Sequence, residues 1–542
     1  MATQFDPPGP GYWTLDRSHY VSGTTPISQW LLTTGFDRGF RRVFEELGVP
    51  LAGIEAQFVN NFFYTRVRPL IGGDSAPRKL PPNAVTKLVT HVHPQFRARN
   101  KTAIAALRDR PSNKVVQRWQ DQLKPELVAF NREAQQFDVG AANDVELQGH
   151  ITALLDKLVA NFELHFWLHG HDLGPIARYL KQCIDWGLDP VDAISALAGA
   201  SPATAEPIEQ LIEMRALLES SAEPIVTLDD FRASSREASH RLDAYLDERG
   251  FILATGYDLD ARTLNEMPEV VLTTIRTATA PPTHNADGIA GELRNTVPTP
   301  HRDAFDQALA DARNVMDMRD DNGPLTLEWP VGLLRRALLA AGDRLVQRGA
   351  LAAPEHALEV TPDEARSLFG GTLPSSDALA KRAETRRTLA ALEPPESLGE
   401  PSPEPPLDVL PPALAELSAA MQVAMKYVGM DDAASPDPMS GAGIGSVRYV
   451  GTARVAQSAD QALDELEPGD VLIVRATSPA FNAVLAIAGA VVTSDGGVLS
   501  HAAVLARELG IPAVIGVTGA LDIKNGATVE VDPAAGLVLV HE

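Results

Sequence analysis

Among 542 residues there is a single cysteine. Intrachain disulfides and cysteine-rich metal centres are excluded, and Cys183, inside the helical pattern Leu180-Lys181-Gln182-Cys183-Ile184-Asp185-Trp186, reads as a small buried hydrophobe. Basic residues are in the minority: 47 Lys and Arg against 71 Asp and Glu leave a formal charge of -24, which disfavours nucleic acid and anionic membranes as partners. The longest apolar run, near Ala483 to Val492, falls short of the roughly 20 residues that span a bilayer. Met1 to Trp13 lacks a basic start followed by an apolar core, so no secretion signal is expected and a cytoplasmic location follows. Two motifs are missing as well, GxxxxGK[ST] and HExxH; neither a P-loop nor a zincin-type metal site is expected.

What is present divides along the chain, and the length alone suggests about three or four domains. Residues 1–392 show mainly helical periodicity, with a division into two lobes expected near 222, at Ser221 to Pro224. Thr361-Pro362-Asp363-Glu364 reads as a capped helix start, and Gly349 as a helix stop after Leu333 to Arg348. Residues 393–412 are proline-rich, which predicts an extended, semi-stiff linker. A connecting helix and loop occupy 413–439, and glycine-separated short strands open an α/β domain over 440–542. The fold expected is therefore multidomain: a mainly α-helical N-terminal domain followed by a C-terminal α/β domain.

The chemistry concentrates in Gly496-Gly497-Val498-Leu499-Ser500-His501-Ala502-Ala503-Val504-Leu505-Ala506-Arg507-Glu508-Leu509-Gly510-Ile511-Pro512. The glycine pair makes a tight turn, Ser500 is a good N-cap, and Gly510 before Pro512 ends the helix, so His501 falls in a first helical turn. There an imidazole can carry phosphate: its neutral nitrogen is a nucleophile near pH 7, and the helix's unpaired N–H groups and dipole favour the anion formed. Gly496, Gly497, Ser500 and Arg507 are the expected phosphate-supporting residues, Arg507 with an ion pair to an acidic neighbour as its ordinary alternative.

This run closely resembles the phosphohistidine segment of the PEP-utilising enzyme mobile domain, the swivelling domain of pyruvate phosphate dikinase, PEP synthase, rifampicin phosphotransferase and phenylphosphate synthase. The resemblance extends to Gly469-Asp470-Val471-Leu472-Ile473-Val474, Thr477-Ser478-Pro479, Gly489 to Asp495, Ile515-Gly516-Val517 and Gly526 to Asp532. It implies that 440–542 is a swivelling phosphohistidine domain and that His501 is the residue phosphorylated. The dikinases of that group carry an ATP-grasp domain before the histidine domain and a PEP-binding barrel after it. Neither is expected here, since Glu542 follows the histidine domain and the helical part lacks alternating strands and basic, glycine-rich loops. ATP and Mg2+ are accordingly expected on a separate ATP-grasp-type subunit, with no cofactor held by this chain, and a small molecule is expected to accept the phosphoryl group. The alternatives are a regulatory module switched by phosphohistidine and a PEP- or pyruvate-linked phosphotransfer subunit.

The helical part loosely resembles the substrate-binding region of rifampicin phosphotransferase, through Leu334-Arg335-Arg336-Ala337, Gly342 to Gly349, Glu364, Tyr245 to Gly250 and Tyr257-Asp258-Leu259. Where relatives have Gly-His-Arg-Gly, this chain has Gly250-Phe251-Ile252-Leu253, so a basic pair is missing and the acceptor is left open. His165, His169 and His171, with helical spacing among Phe166, Trp167 and Leu168, and Arg336 beside Arg335, are candidates for an acceptor pocket. Histidines satisfied within an aromatic core and a solvated arginine face are the plainer readings, and no metal is expected. His91 and His93 flank Val92 at strand-like alternation, which would place both rings on one side.

Overall fold

The computed structural model describes residues 4–16, 19–20, 23–72, 80–279, 285–371, 373–401, 403, 405–428, 437–477 and 481–541. The chain forms two compact units, each assembled from separate stretches: residues 1–174, 257–260 and 321–419 make the first, and 175–256, 261–320 and 420–542 the second. These divisions differ from the sequence-based ranges. Ser221 to Pro224 joins helices rather than lobes, because Leu211 and Met214 before it and Leu228, Phe231, Leu242 and Tyr245 after it share one buried cluster.

The first unit is mainly helical and also holds a small sheet that periodicity did not announce. Its strands β1 (Trp13–Leu15), β2 (Leu51–Val59), β3 (Phe62–Pro69) and β4 (Ser397–Leu398) lie in the order β2-β3-β1-β4. β4 comes from the proline-rich stretch. Trp13 pairs with Leu398 and Thr14 with Ser397, Leu15 N–H donates to the Glu396 carbonyl at 2.9 Å and Tyr64 hydroxyl to Pro395 at 2.8 Å. The expected extended, semi-stiff linker is in part docked on this unit: proline's fixed φ suits the extended backbone beside a short edge strand.

Helix Pro26–Leu47 packs on Asp144–Asp185 through glycines. A Cβ at Gly35 would stand 2.5 Å from the Phe162 Cβ, and one at Gly39 would stand 2.6 Å from the Glu163 carbonyl oxygen. The close approach brings Phe36 within 4.5 Å of Phe166, ring to ring, and Glu46 against Trp167 and His171. The long helix runs through Pro175. Thr361 closes a capping box with Glu364, and Gly349 takes φ 71° after helix Trp329–Gln347, as the sequence predicts. Cys183 is fully buried, and that burial pushes its thiol up to about 12.

In the second unit, β5 (Ala442–Ile444), β6 (Tyr449–Ala456), β7 (Val471–Val474), β8 (Ala490–Thr493), β9 (Ala513–Ile515), β10 (Thr528–Asp532) and β11 (Leu537–His541) form one mixed sheet. Its order is β11-β10-β6-β7-β8-β9-β5. The central neighbours β6, β7, β8 and β9 are parallel, and the flanking strands are antiparallel. Every residue of β7 and β8 is buried, which is why they read as continuous apolar runs rather than alternating ones. The fold class is thus as expected: a mostly helical N-terminal region and a C-terminal α/β domain.

Candidate phosphohistidine site

Helix His501–Leu509 is the crossover between parallel strands β8 and β9. Its N-terminus therefore stands at the carboxyl end of β8, beside the carboxyl end of β7, where parallel sheets place their sites. The two strand ends are laced together: Ser494 N–H donates to the Val474 carbonyl at 3.0 Å and Asp495 N–H to the Arg475 carbonyl at 2.8 Å. Thr477, three residues past β7, is thereby delivered to the ring of His501, its Oγ1 2.9 Å from Nδ1.

Gly496, Gly497 and Ser500 shape the turn beside this pair. Gly496 has φ 106°, a region an L side chain rarely enters, and a Cβ there would meet the Ser500 Cβ at 3.1 Å. The Gly497 carbonyl accepts from Ser500 N–H at 2.8 Å. Ser500 is the N-cap, accepting from Ala503 N–H, and Gly510 closes the helix in the left-handed region. Arg507 is turned elsewhere: its guanidinium, whose pKa burial lowers, makes a long 3.5 Å bond to the Val498 carbonyl and so braces the loop leading to His501. Ser478 and Pro479 lie outside the described residues.

Sequence reasoning quoted Thr477 within a motif and gave it no role. The signal that would have found it is topological, since loops after adjacent parallel strands converge. Arg475, 3.8 Å from the Asp495 carboxylate, is a cation at the same rim that was also missed.

Of the four acceptor-pocket candidates, His165 and His169 lie together while His171 and Arg336 are engaged elsewhere. His165 and His169 stack with ring centroids 5.6 Å apart, and His165 Nδ1 lies 3.1 Å from Thr326 Oγ1. His169 Nδ1 lies 3.2 Å from the Asp172 carboxylate. His171 is buried, with Nδ1 at 3.2 Å from Ser112 and Nε2 at 3.2 Å from Glu46. Arg336 donates to the carbonyls of Ala134, Gln135 and Phe137 at the end of helix Lys124–Gln136, a helix-capping position. Nor do His91 and His93 share a strand face. His91 belongs to helix Asn83–Val92, and His93 caps Pro94–Asp109 by accepting from Gln95 N–H, because Pro94 is ideal at a first helical position. Among the described residues no group of three or more His, Cys, Asp or Glu is arranged to hold a metal, and no helix is long and apolar enough to cross a membrane.

Residues 466–536 match the family model of the PEP-utilising enzyme mobile domain. Chondramide synthase cmdD of Chondromyces crocatus is 27% identical over 97% of this chain and 14% of its own length. Phosphoenolpyruvate synthase of Aeropyrum pernix is 43% identical over 16% of the chain and 11% of its own length. The uncharacterized phosphotransferase YvkC of Bacillus subtilis is 26% identical over 44% of the chain and 27% of its own length. The chain thus spans less than a third of each of these relatives, and its C-terminal part is a phosphotransferase-like domain with homology to phosphoenolpyruvate synthase.

Proposed function

We propose that this chain is a phosphotransferase component in which His501 carries a phosphoryl group from a nucleotide held by a separate ATP-grasp-type subunit to a small-molecule acceptor. The observation that carries the proposal is the 2.9 Å approach of Thr477 Oγ1 to His501 Nδ1 at the capped start of a helix. In the tautomer competent to attack, Nδ1 bears the proton and donates it to Thr477, so the lone pair that meets phosphorus is on Nε2. Backbone N–H groups of the first turn and the helix dipole favour the dianion that results. Gly496, Gly497 and Ser500 fix that turn, while Arg507 acts through Val498 and positions the loop. The cmdD alignment, covering 97% of this chain, supports treating the helical part and the histidine domain as one working set.

In this reading nucleotide and Mg2+ belong to the partner, and the cytosol is where it works. Incubation with that partner and β-labelled ATP should give acid-labile label on the wild type and none on His501→Ala. Labelled PEP in place of ATP tests the PEP-linked alternative. Label that forms and never leaves for any small molecule would favour the regulatory switch and defeat the carrier.

A further inference from the structure

Positive charge is scarce in this chain and gathers in one place. Residues 80–118 carry eight Lys and Arg and one acidic residue, Asp109, within a chain of formal charge -24. The same stretch, in the first unit, holds large apolar side chains that the fold leaves uncovered: Val85, Leu88, Val92 and Ile104 are between 47% and 62% exposed. The histidine chemistry above uses neither feature.

The helical repeat sorts these residues into two stripes. In helix Asn83–Val92, positions 85, 88 and 92 fall within about 60° of one another at about 100° per residue. Thr90 lies on the opposite side, buried, and its hydroxyl donates to the Val409 carbonyl. The helix is thus anchored by a threonine and shows an apolar stripe to solvent, against the usual order for a surface helix. Helix Pro94–Asp109 follows directly, capped by His93. Along it Arg97, Lys101, Ile104 and Arg108 recur at steps of four, three and four, which makes one exposed stripe about 16 Å long. Phe96 and Ala103 of the same helix are buried with Ala413 and Leu414, so the basic stripe is the face turned from the core.

We infer that these two helices are a docking face for a partner protein, and that the element it docks is an acidic amphipathic helix. Charge complementarity selects that occupant. A basic stripe on an otherwise acidic chain attracts carboxylates and orients their approach, and Val85, Leu88 and Val92 gain from being covered only by apolar side chains. The partner must therefore bring both kinds of group side by side over about 16 Å, and three turns of one amphipathic helix do so. An anionic bilayer or a nucleic acid would be repelled by the acidic remainder of the chain. A second copy bound symmetrically would lay the basic stripe against its own twin, where like charges oppose contact. The face is independent of the role of His501.

The test titrates full-length protein onto a fluorescent model helix of about 18 residues, with leucines along one stripe and glutamates beside them, and follows anisotropy. Binding should weaken about 10-fold when the glutamates are replaced by glutamines, about 10-fold when the leucines are replaced by serines, and steadily as salt is raised. Leu88→Ser with Val92→Ser, and separately Arg97→Gln with Lys101→Gln, should each cost the acidic helix about 10-fold in affinity. All four side chains are exposed, so both variants should melt like the wild type, and Val226→Ser, exposed in the second unit, should bind unchanged. Equal affinity for the glutamine helix, full affinity in either double variant, or no binding of the acidic helix would overturn the assignment. So would tighter binding to vesicles of phosphatidylcholine and phosphatidylglycerol or to a single-stranded oligonucleotide, or self-association in sedimentation that the same variants abolish.

Discussion

Thr477 and His501 lie 24 residues apart in sequence and meet at 2.9 Å, hydroxyl to Nδ1, because each follows one of two adjacent parallel strands. The contact engages Nδ1 and, in the proposed carrier role of His501, leaves Nε2 as the reacting nitrogen. Thr477→Val keeps the shape and removes the partner, so loading of His501 should fall by about 10- to 100-fold, in line with the loss of an orienting hydrogen bond. Thr477→Ser should restore most of it. The initial rate of acid-labile label incorporation reads both, and a Val variant as fast as the wild type would remove Thr477 from the mechanism.

Glu328 also makes a prediction about stability. Its folded-state pKa, about 8, lies above the ordinary glutamate value because of burial, so the folded chain holds this proton more tightly than the unfolded one. This group's penalty is nil below pH 4.5, grows as pH rises, and is complete above about 8, with a slope of at most about 1.4 kcal/mol per pH unit. Glu328→Gln carries no such charge. Urea melts of the two proteins from pH 5 to 9 should diverge, the variant becoming the more stable with rising pH; parallel curves would mean that Glu328 ionises freely.

Glu46 runs the other way. Burial would raise its carboxyl, but hydrogen bonds from His171, Trp167 and Arg42 outweigh that and hold it at about 2. Its stabilising contribution is therefore present above the ordinary value near 4.5 and lost as pH falls toward 2. The side chain is 40% exposed, so solvent screening keeps the effect well under the full linkage slope. Glu46→Gln should flatten the acid limb of the stability curve between pH 5 and 2, as followed by circular dichroism. An unchanged acid limb would show that other carboxylates govern acid unfolding.

How much of this was legible beforehand follows from the range of the interactions. The His501 turn is local: Ser500, Gly496 and Gly510 write the cap, the turn and the stop within 15 residues, and the structure repeats them. The buried strands β7 and β8 are legible for the same reason, as unbroken apolar runs. The small sheet was not, because β1 is three residues long and finds its partner Leu398 on the far side of the unit's sequence, inside prolines that suggest a spacer. Arg336 sits on an amphipathic helix like any solvated arginine, and only the end of a helix 200 residues earlier explains it. Glu328 gave a faint signal, a lone carboxylate in Leu325-Thr326-Leu327-Glu328-Trp329-Pro330-Val331. His165 likewise has its partner Thr326 at 161 residues' distance.

The helix contact at Gly39 sets two effects of opposite sign against each other. Replacing glycine by alanine inside a helix ordinarily stabilises it by up to about 1 kcal/mol. Here the added Cβ would lie 2.6 Å from the Glu163 carbonyl oxygen and 2.6 Å from the Phe166 Cβ, both fixed by the helix Asp144–Asp185, so neither can swing aside. The two helices must separate, and overpacking of that kind costs about 1 to 3 kcal/mol; the clash wins. Gly39→Ala should lower the unfolding free energy by the difference, up to about 2 kcal/mol once the full propensity gain is subtracted, and the urea midpoint with it, while Gly174→Ala in the partner helix, where a Cβ meets nothing within 4 Å, should hold the midpoint or raise it. Equal midpoints for the two alanine variants would show that the helices already part at this contact in solution.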